Sequence, residues 1–151
     1  MNWYVLITSP RMELNISNEL KKIGINSFCP TKTEIRKWSD RNKKVKVPLL
    51  PSMVLVNLYN IDRNKVFDIY GIKRYLFYLN KPAVVYEEEI DILKNYDQLN
   101  YIKIKKNNFI DNEISQIPGF ENFSGKVIKR SNNCIWIKFK ESNFNVKFDL
   151  V

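Results

Sequence analysis

The sequence predicts an α+β domain, with helices laid on an antiparallel sheet, followed by a small all-β unit. Three observations carry this reading. Over the first hundred residues, extended apolar runs alternate with segments of helical period. From residue 109 onward the texture changes to short strands alternating with period two. Between them, Asn100 to Asn108 is polar and lysine-rich without a clear period, which is the composition of a linker. The expected organisation is therefore a first domain over 1–98, a linker over 99–108 and a second domain over 109–151.

Trp3 to Thr8 is a run of aromatic and β-branched residues and reads as a buried strand. Ser9-Pro10 supplies a cap and a first-turn proline for a helix. In that helix Ile16, Leu20 and Ile23 fall on one face, and Gly24 sits where a terminating glycine belongs. Ile25 to Pro30 is extended. Thr33 to Trp38 then rises to a polar turn at Ser39-Asp40-Arg41-Asn42-Lys43 and returns through Lys44-Val45-Lys46-Val47. That pattern predicts a β-hairpin arm with cations on one face and at its tip.

Pro48 and Pro51 bracket Leu49-Leu50, and Ser52 to Leu58 is the next strong strand. Asp62 to Tyr70 places Val66, Phe67 and Tyr70 on one helical face, closed by Gly71. Lys73 to Leu79 is aromatic and extended, and Ala83-Val84-Val85 is a short strand. Glu87-Glu88-Glu89 opens a helix that turns Ile90 and Leu93 inward, and the three acids complement the positive end of its dipole. In the second domain Cys134 to Phe139 and Phe144 to Leu150 each alternate with period two, separated by Asn132-Asn133 and Ser142-Asn143. About forty residues of this texture suffice for a small barrel.

At 151 residues the chain has room for one ordinary domain or two small ones, and a 44% hydrophobic, 13% aromatic composition excludes wholesale disorder. No apolar stretch is long enough for a transmembrane helix. The opening residues lack a basic region before the apolar run, so the expected address is the cytoplasm, without membrane attachment. Histidine is absent, which removes His-based triads, Cys-His dyads and imidazole zinc sites. The two cysteines, Cys29 and Cys134, form no C-x-x-C pair and read as small packed hydrophobes. With acids that are only scattered, no catalytic site, metal or cofactor is expected.

Charge is the strongest compositional signal, with 25 basic against 16 acidic side chains, a net +9. The excess is uneven: residues 1–50 carry 10 basic and 4 acidic groups, while 51–100 carry 6 and 7. Localised positive charge suits a surface that meets polyanions. The 19 Asn, 19 Lys and 18 Ile residues equally suit an AT-rich genome, so charge alone leaves the partner open.

Several segments together resemble a known family. Trp3-Tyr4-Val5-Leu6, followed by Pro10-Arg11 and an amphipathic helix, resembles the start of the NusG N-terminal (NGN) domain. Val47-Pro48-Leu49-Leu50-Pro51-Ser52-Met53-Val54-Leu55-Val56 is similar to that family's P-L-F-P-x-Y-x-F-V strand. Gly71-Ile72-Lys73-Arg74-Tyr75 and Lys81-Pro82-Ala83-Val84-Val85 resemble its closing segments. Ile35-Arg36-Lys37-Trp38-Ser39-Asp40-Arg41 is similar to the hairpin of specialised paralogues, the RfaH group and the UpxY-type antiterminators of polysaccharide loci. Ile114 to Val127, with Pro118-Gly119 and Gly125, resembles a KOW motif, in which a glycine-punctuated loop leads into a barrel strand.

The resemblance implies a transcription elongation and antitermination factor, not an enzyme, and the hairpin favours an operon-specific paralogue over a housekeeping factor. Its N-terminal domain is expected to dock on the clamp helices of RNA polymerase through Ile7, Met53, Leu55, Tyr78 and Ile90. The alternative for each is ordinary core packing. Met53 and Leu55 stand where aromatic residues are common in the family. Arg11, Arg36, Lys37, Arg41, Lys43, Lys44 and Lys46 are expected to face non-template or upstream DNA, neutralising phosphates without reading sequence. Trp38 either stacks on an unpaired base or anchors the arm to the sheet.

The KOW-like barrel is expected to recruit a small-subunit ribosomal protein or Rho, with Phe120 and Phe123 as its contacts or as plugs of the barrel end. Glu121-Asn122-Phe123 replaces the family's usual basic-glycine step. Resemblance suggests a monomer. The rival reading is a KOW-type RNA- or ribosome-binding protein with no polymerase role. It leaves the apolar Met53 to Leu58 strand, arriving with the rest of the N-terminal pattern, unexplained.

Overall fold

Asn2–Thr8 forms β1, as its aromatic and β-branched content requires, and every side chain from Trp3 to Leu6 is buried. The structure is a computed structural model that describes residues 1–96, 125–139 and 145–149. Two compact units divide the chain, Met1–Val84 and Val85–Val151.

In the first unit β1 is followed by α1 (Glu13–Lys22), β2 (Asn26–Phe28), β3 (Thr31–Lys37), β4 (Asn42–Pro48) and β5 (Met53–Leu58). A 3-10 helix (Asn60–Asp68), β6 (Ile72–Tyr75), β7 (Phe77–Tyr78) and β8 (Lys81–Pro82) complete it, and the short β9 (Val84–Val85) straddles its end. The main sheet runs β2-β5-β1-β6, with β9 attached to β1 off that path. β3 and β4 make a separate two-stranded arm, and β7 and β8 a small hairpin.

Register decides which side chains meet. β1 pairs antiparallel with β5 so that Tyr4 faces Val56 and Leu6 faces Val54. These four join Leu58, Ile16 and Leu20 of α1, Val66 and Tyr75 in one apolar core. Successive strand residues point to opposite faces, so Trp3, Val5, Ile7, Met53 and Leu55 share the other face of the sheet. Trp3, Val5 and Leu55 are buried there too.

Three elements differ from the sequence reading. α1 begins at Glu13, not at Pro10. Arg11 takes φ 66, and the Met12 N–H donates to the Ser9 carbonyl at 3.3 Å. Proline followed by a positive φ is the pattern of a type II turn, which uses up Pro10 before the helix starts. The segment expected as an α-helix at Asp62 to Tyr70 is instead the 3-10 helix, which repeats every three residues. Val66 is accordingly buried while Phe67 and Tyr70 are exposed. The extended run Lys73 to Leu79 breaks at Leu76 into β6 and β7.

The end of α1 follows expectation. Gly24 takes φ +81, its N–H donates to Lys21, and the Ile25 N–H reaches back to the Leu20 carbonyl at 2.9 Å, a full Schellman closure. Glu13, buried at the start of the helix, accepts the Ser52 N–H at 2.7 Å. Ser52 has φ 59, so this bond ties down a left-handed residue in the turn that leads from the arm into β5.

The second unit contains α2 (Glu87–Lys94), β10 (Gly125–Arg130), β11 (Cys134–Phe139) and β12 (Asn145–Asp149). Glu89 accepts the Tyr86 N–H at 3.2 Å, closing the first turn of α2. The three strands pair antiparallel in the order β10-β11-β12. Ile135, Ile137, Phe139, Val146 and Phe148 are buried on one face. The Tyr96 ring lies 5.0 Å from that of Phe148, and its hydroxyl donates to the Lys147 carbonyl at 2.9 Å. Among the described residues these strands form an open sheet, not the closed barrel expected from the sequence. The linker at 99–108 lies outside the described residues.

Both thiols are free, with Cys29 buried and Cys134 half-buried. Burial, reinforced by the nearby Glu13 carboxylate, pushes the Cys29 thiol up from 9.0 to about 11. Between those values the unfolded chain has lost the proton that the folded chain keeps, so stability falls as pH rises from about 9 toward 11. At pH 8 we expect iodoacetamide to alkylate Cys134 well before Cys29, read by peptide mass spectrometry. Equal rates would contradict this account of Cys29.

Candidate nucleic-acid interface

The arm follows from its sequence: Thr, Val and Ile alternate with cations on two strands long enough to pair without a third. Thr31 faces Pro48 at its base, and Lys37 faces Asn42 at its tip. The Leu49 N–H donates to the Pro30 carbonyl at 2.7 Å below the base, and the Trp38 N–H donates to Arg41 at 2.8 Å across the tip.

Register splits the cations between two faces, where the sequence suggested one. Lys37, Lys44 and Lys46 share a face with Thr33 and Ile35. Arg36 and Lys43 face each other on the opposite side, above Lys32, Glu34, Val45 and Val47. The first face is exposed along its length, whereas Lys32, Glu34, Val45 and Val47 are half-buried. The physical reason is the period of two. Arg36-Lys37 and Lys43-Lys44 are adjacent pairs, and neighbours on a strand cannot point the same way.

All seven predicted phosphate-binding cations, Arg11, Arg36, Lys37, Arg41, Lys43, Lys44 and Lys46, are exposed. Lys32 is held by Glu34 at 3.0 Å, and Arg41 has Asp40 at 4.0 Å. Among the described residues no carboxylate lies within ion-pair distance of Arg36, Lys37, Lys43, Lys44 or Lys46. These five carry uncompensated charge. Arg11 lies outside the arm, in the turn between β1 and α1.

Trp38 is 59% exposed at the tip, so it does not anchor the arm to the sheet. Lys43 Nζ sits 5.9 Å from the centre of its ring, a cation–π contact that orients the indole and leaves ring surface open. The arm can neutralise phosphates along its length and offer one stacking surface at its end.

The five residues expected to grip a partner's helices are not brought together as one exposed patch. Leu55 is 0% exposed at the centre of the sheet, between β1 and β2. Ile90 is also 0% exposed, on the buried stripe of α2. Neither offers atoms to a partner; both do the work of core packing. Ile7 and Met53 are cross-strand partners and half-buried.

Tyr78 is 42% exposed on the β7–β8 hairpin. Its neighbours Phe77 and Leu79 are more exposed still and escaped the sequence reading, although an apolar triplet beside a turn was the available signal. Leu79 and Asn80 take φ 48 and 61 in the two-residue loop, the geometry of a type I′ turn. Leucine is a strained occupant of such a position. The hairpin therefore holds an apolar tip out in solvent against both hydration and backbone preference. Phe120 and Phe123 lie outside the described residues.

The sequence model of the family described as transcription termination factor nusG matches residues 1–94. Among solved structures, one on domain interaction in Thermotoga maritima NusG is similar, at 16% identity and TM-score 0.49, covering 99% of this chain and 92% of that one. A crystal structure of the MjSpt4:Spt5 complex in conformation A is similar at 14% identity and TM-score 0.36, covering 98% of this chain and 93% of that one. No curated protein matches the sequence. No helix among the described residues is long and apolar enough to cross a membrane. Well over half of the chain carries the family match, and the chain belongs to the NusG family of transcription factors.

Proposed function

We propose that the protein is an operon-specific transcription elongation and antitermination factor. Residues 1–98 dock on the clamp helices of RNA polymerase, and the basic arm contacts non-template or upstream DNA. The observation that carries the reading is the family match over 1–94 together with an arm holding five uncompensated cations and an exposed tryptophan. The arm, beyond what a shared fold needs, supports the specialised kind described for polysaccharide loci. The docking surface uses Ile7, Met53 and Tyr78, joined by Phe77 and Leu79. Residues 99–108 serve as a linker, and 109–151 recruit a small-subunit ribosomal protein or Rho. The protein acts as a cytoplasmic monomer, without a cofactor.

The test is capture of purified core RNA polymerase by the wild type and by Met53→Glu/Tyr78→Glu, after circular dichroism has established that the variant folds. Wild-type capture that is reduced at least tenfold in the folded variant supports both the function and the docking face. Capture by both proteins discards the face. No capture by the wild type contradicts the polymerase role and favours the KOW-type RNA- or ribosome-binding reading.

A further inference from the structure

The second unit carries a surface that the sequence reading did not single out. β11 alternates strictly, so Ile135, Ile137 and Phe139 are buried and Trp136 and Lys138 lie on the opposite face. Trp136 stands across from Lys147 on one neighbouring strand and Lys129 on the other. Lys138, one pleat along, stands across from Lys126 and Asn145. An indole at the centre of a three-stranded sheet is thus flanked by Lys129 and Lys147 in its own row and by Lys126 and Lys138 in the next.

A register shift builds this cluster. Lys126 and Lys129 are three residues apart, an odd separation that puts side chains on opposite faces of a regular strand. The irregularity between Val127 and Lys129 adds one residue, and that residue brings both lysines to the face of Trp136. Lys126, Lys129 and Lys147 are exposed, while Trp136 and Lys138 are half-buried. Among the described residues no carboxylate is within ion-pair distance of Lys126, Lys129 or Lys138.

We infer that this face binds single-stranded RNA, with one base stacked on Trp136 and the flanking lysines on the phosphates either side. Charge complementarity selects a polyanion. The central indole selects one with unpaired bases, since a base inside a duplex has no free π-face. For a chain that belongs to a family of transcription factors, the single strand that transcription releases is RNA. The face lies on a different unit from the arm and does not depend on the arm's role.

The test uses the full chain with its arm neutralised (Arg36→Ala/Lys37→Ala/Trp38→Ala/Lys43→Ala/Lys44→Ala/Lys46→Ala), so failure of the arm reading leaves it intact. Anisotropy of a labelled 12-nucleotide oligouridine reports binding. We expect the arm-neutralised chain to bind, and adding Trp136→Ala to weaken binding about tenfold, with Trp136→Phe restoring most of it. Adding Lys126→Ala/Lys129→Ala, both at exposed positions, should lower the slope of log affinity against log salt by about 1.4. Duplex DNA of equal phosphate concentration should displace the RNA poorly. The inference is overturned by no binding in the arm-neutralised chain. Binding unaltered in the folded lysine variant overturns it equally, as does displacement by duplex as efficient as by unlabelled RNA.

Discussion

Neutralising the arm with Arg36→Ala/Lys37→Ala/Lys43→Ala/Lys44→Ala/Lys46→Ala will remove most of the salt dependence of DNA binding. Five uncompensated cations, each releasing about 0.9 of a counterion on duplex, give a slope of about 4.5, and so a loss of roughly 500-fold in affinity between 50 and 200 mM salt. The variant's affinity should be low and nearly independent of salt over that range. Replacing Lys32 and Arg41 instead should change the slope less, because Glu34 and Asp40 already offset them. Titration of a labelled, fully paired duplex at several salt concentrations measures both. If all seven positions contributed alike, charge count alone would explain the arm, and the assignment of five would fail.

Leu55→Ala will destabilise the first unit by about 2–5 kcal/mol, the range for deleting a fully enclosed leucine. Leu55 lies opposite Val5 on β1 and Phe28 on β2, so its removal leaves a void between paired strands that cannot slide to fill it. Tyr78→Ala, at an exposed hairpin, should cost well under half as much. Chemical denaturation of the two variants gives the comparison. A Leu55→Ala protein of unchanged stability that had lost polymerase capture would return Leu55 to the docking surface and contradict its burial.

Much of the structure over residues 1–96 was legible in the sequence because its signals are local. The β-branched run of β1, the Ile16-Leu20 stripe closed by Gly24, and the acidic opening of α2 each state their element within a few residues. The arm was legible as a hairpin, yet its faces were not, because the pairing register sets them and adjacent cations must diverge. Leu55 and Ile90 read as docking residues since an apolar side chain looks the same whether it meets its own core or a partner. Only the position of a strand within the sheet separates the two cases. Trp38 is the mirror case, a large aromatic that looks like an anchor and stands in solvent. In the second unit the period of β11 was legible, but the convergence of Lys126 and Lys129 beside Trp136 depends on a register shift that no local pattern announces.

The most direct measurement is run-through in vitro: purified RNA polymerase transcribing a template with a strong pause and a terminator, with and without the protein. The account predicts shorter pausing and more full-length transcript with the wild type, and neither with the folded Met53→Glu/Tyr78→Glu variant. Polymerase that binds the wild type and yet pauses and terminates as it does alone would contradict it.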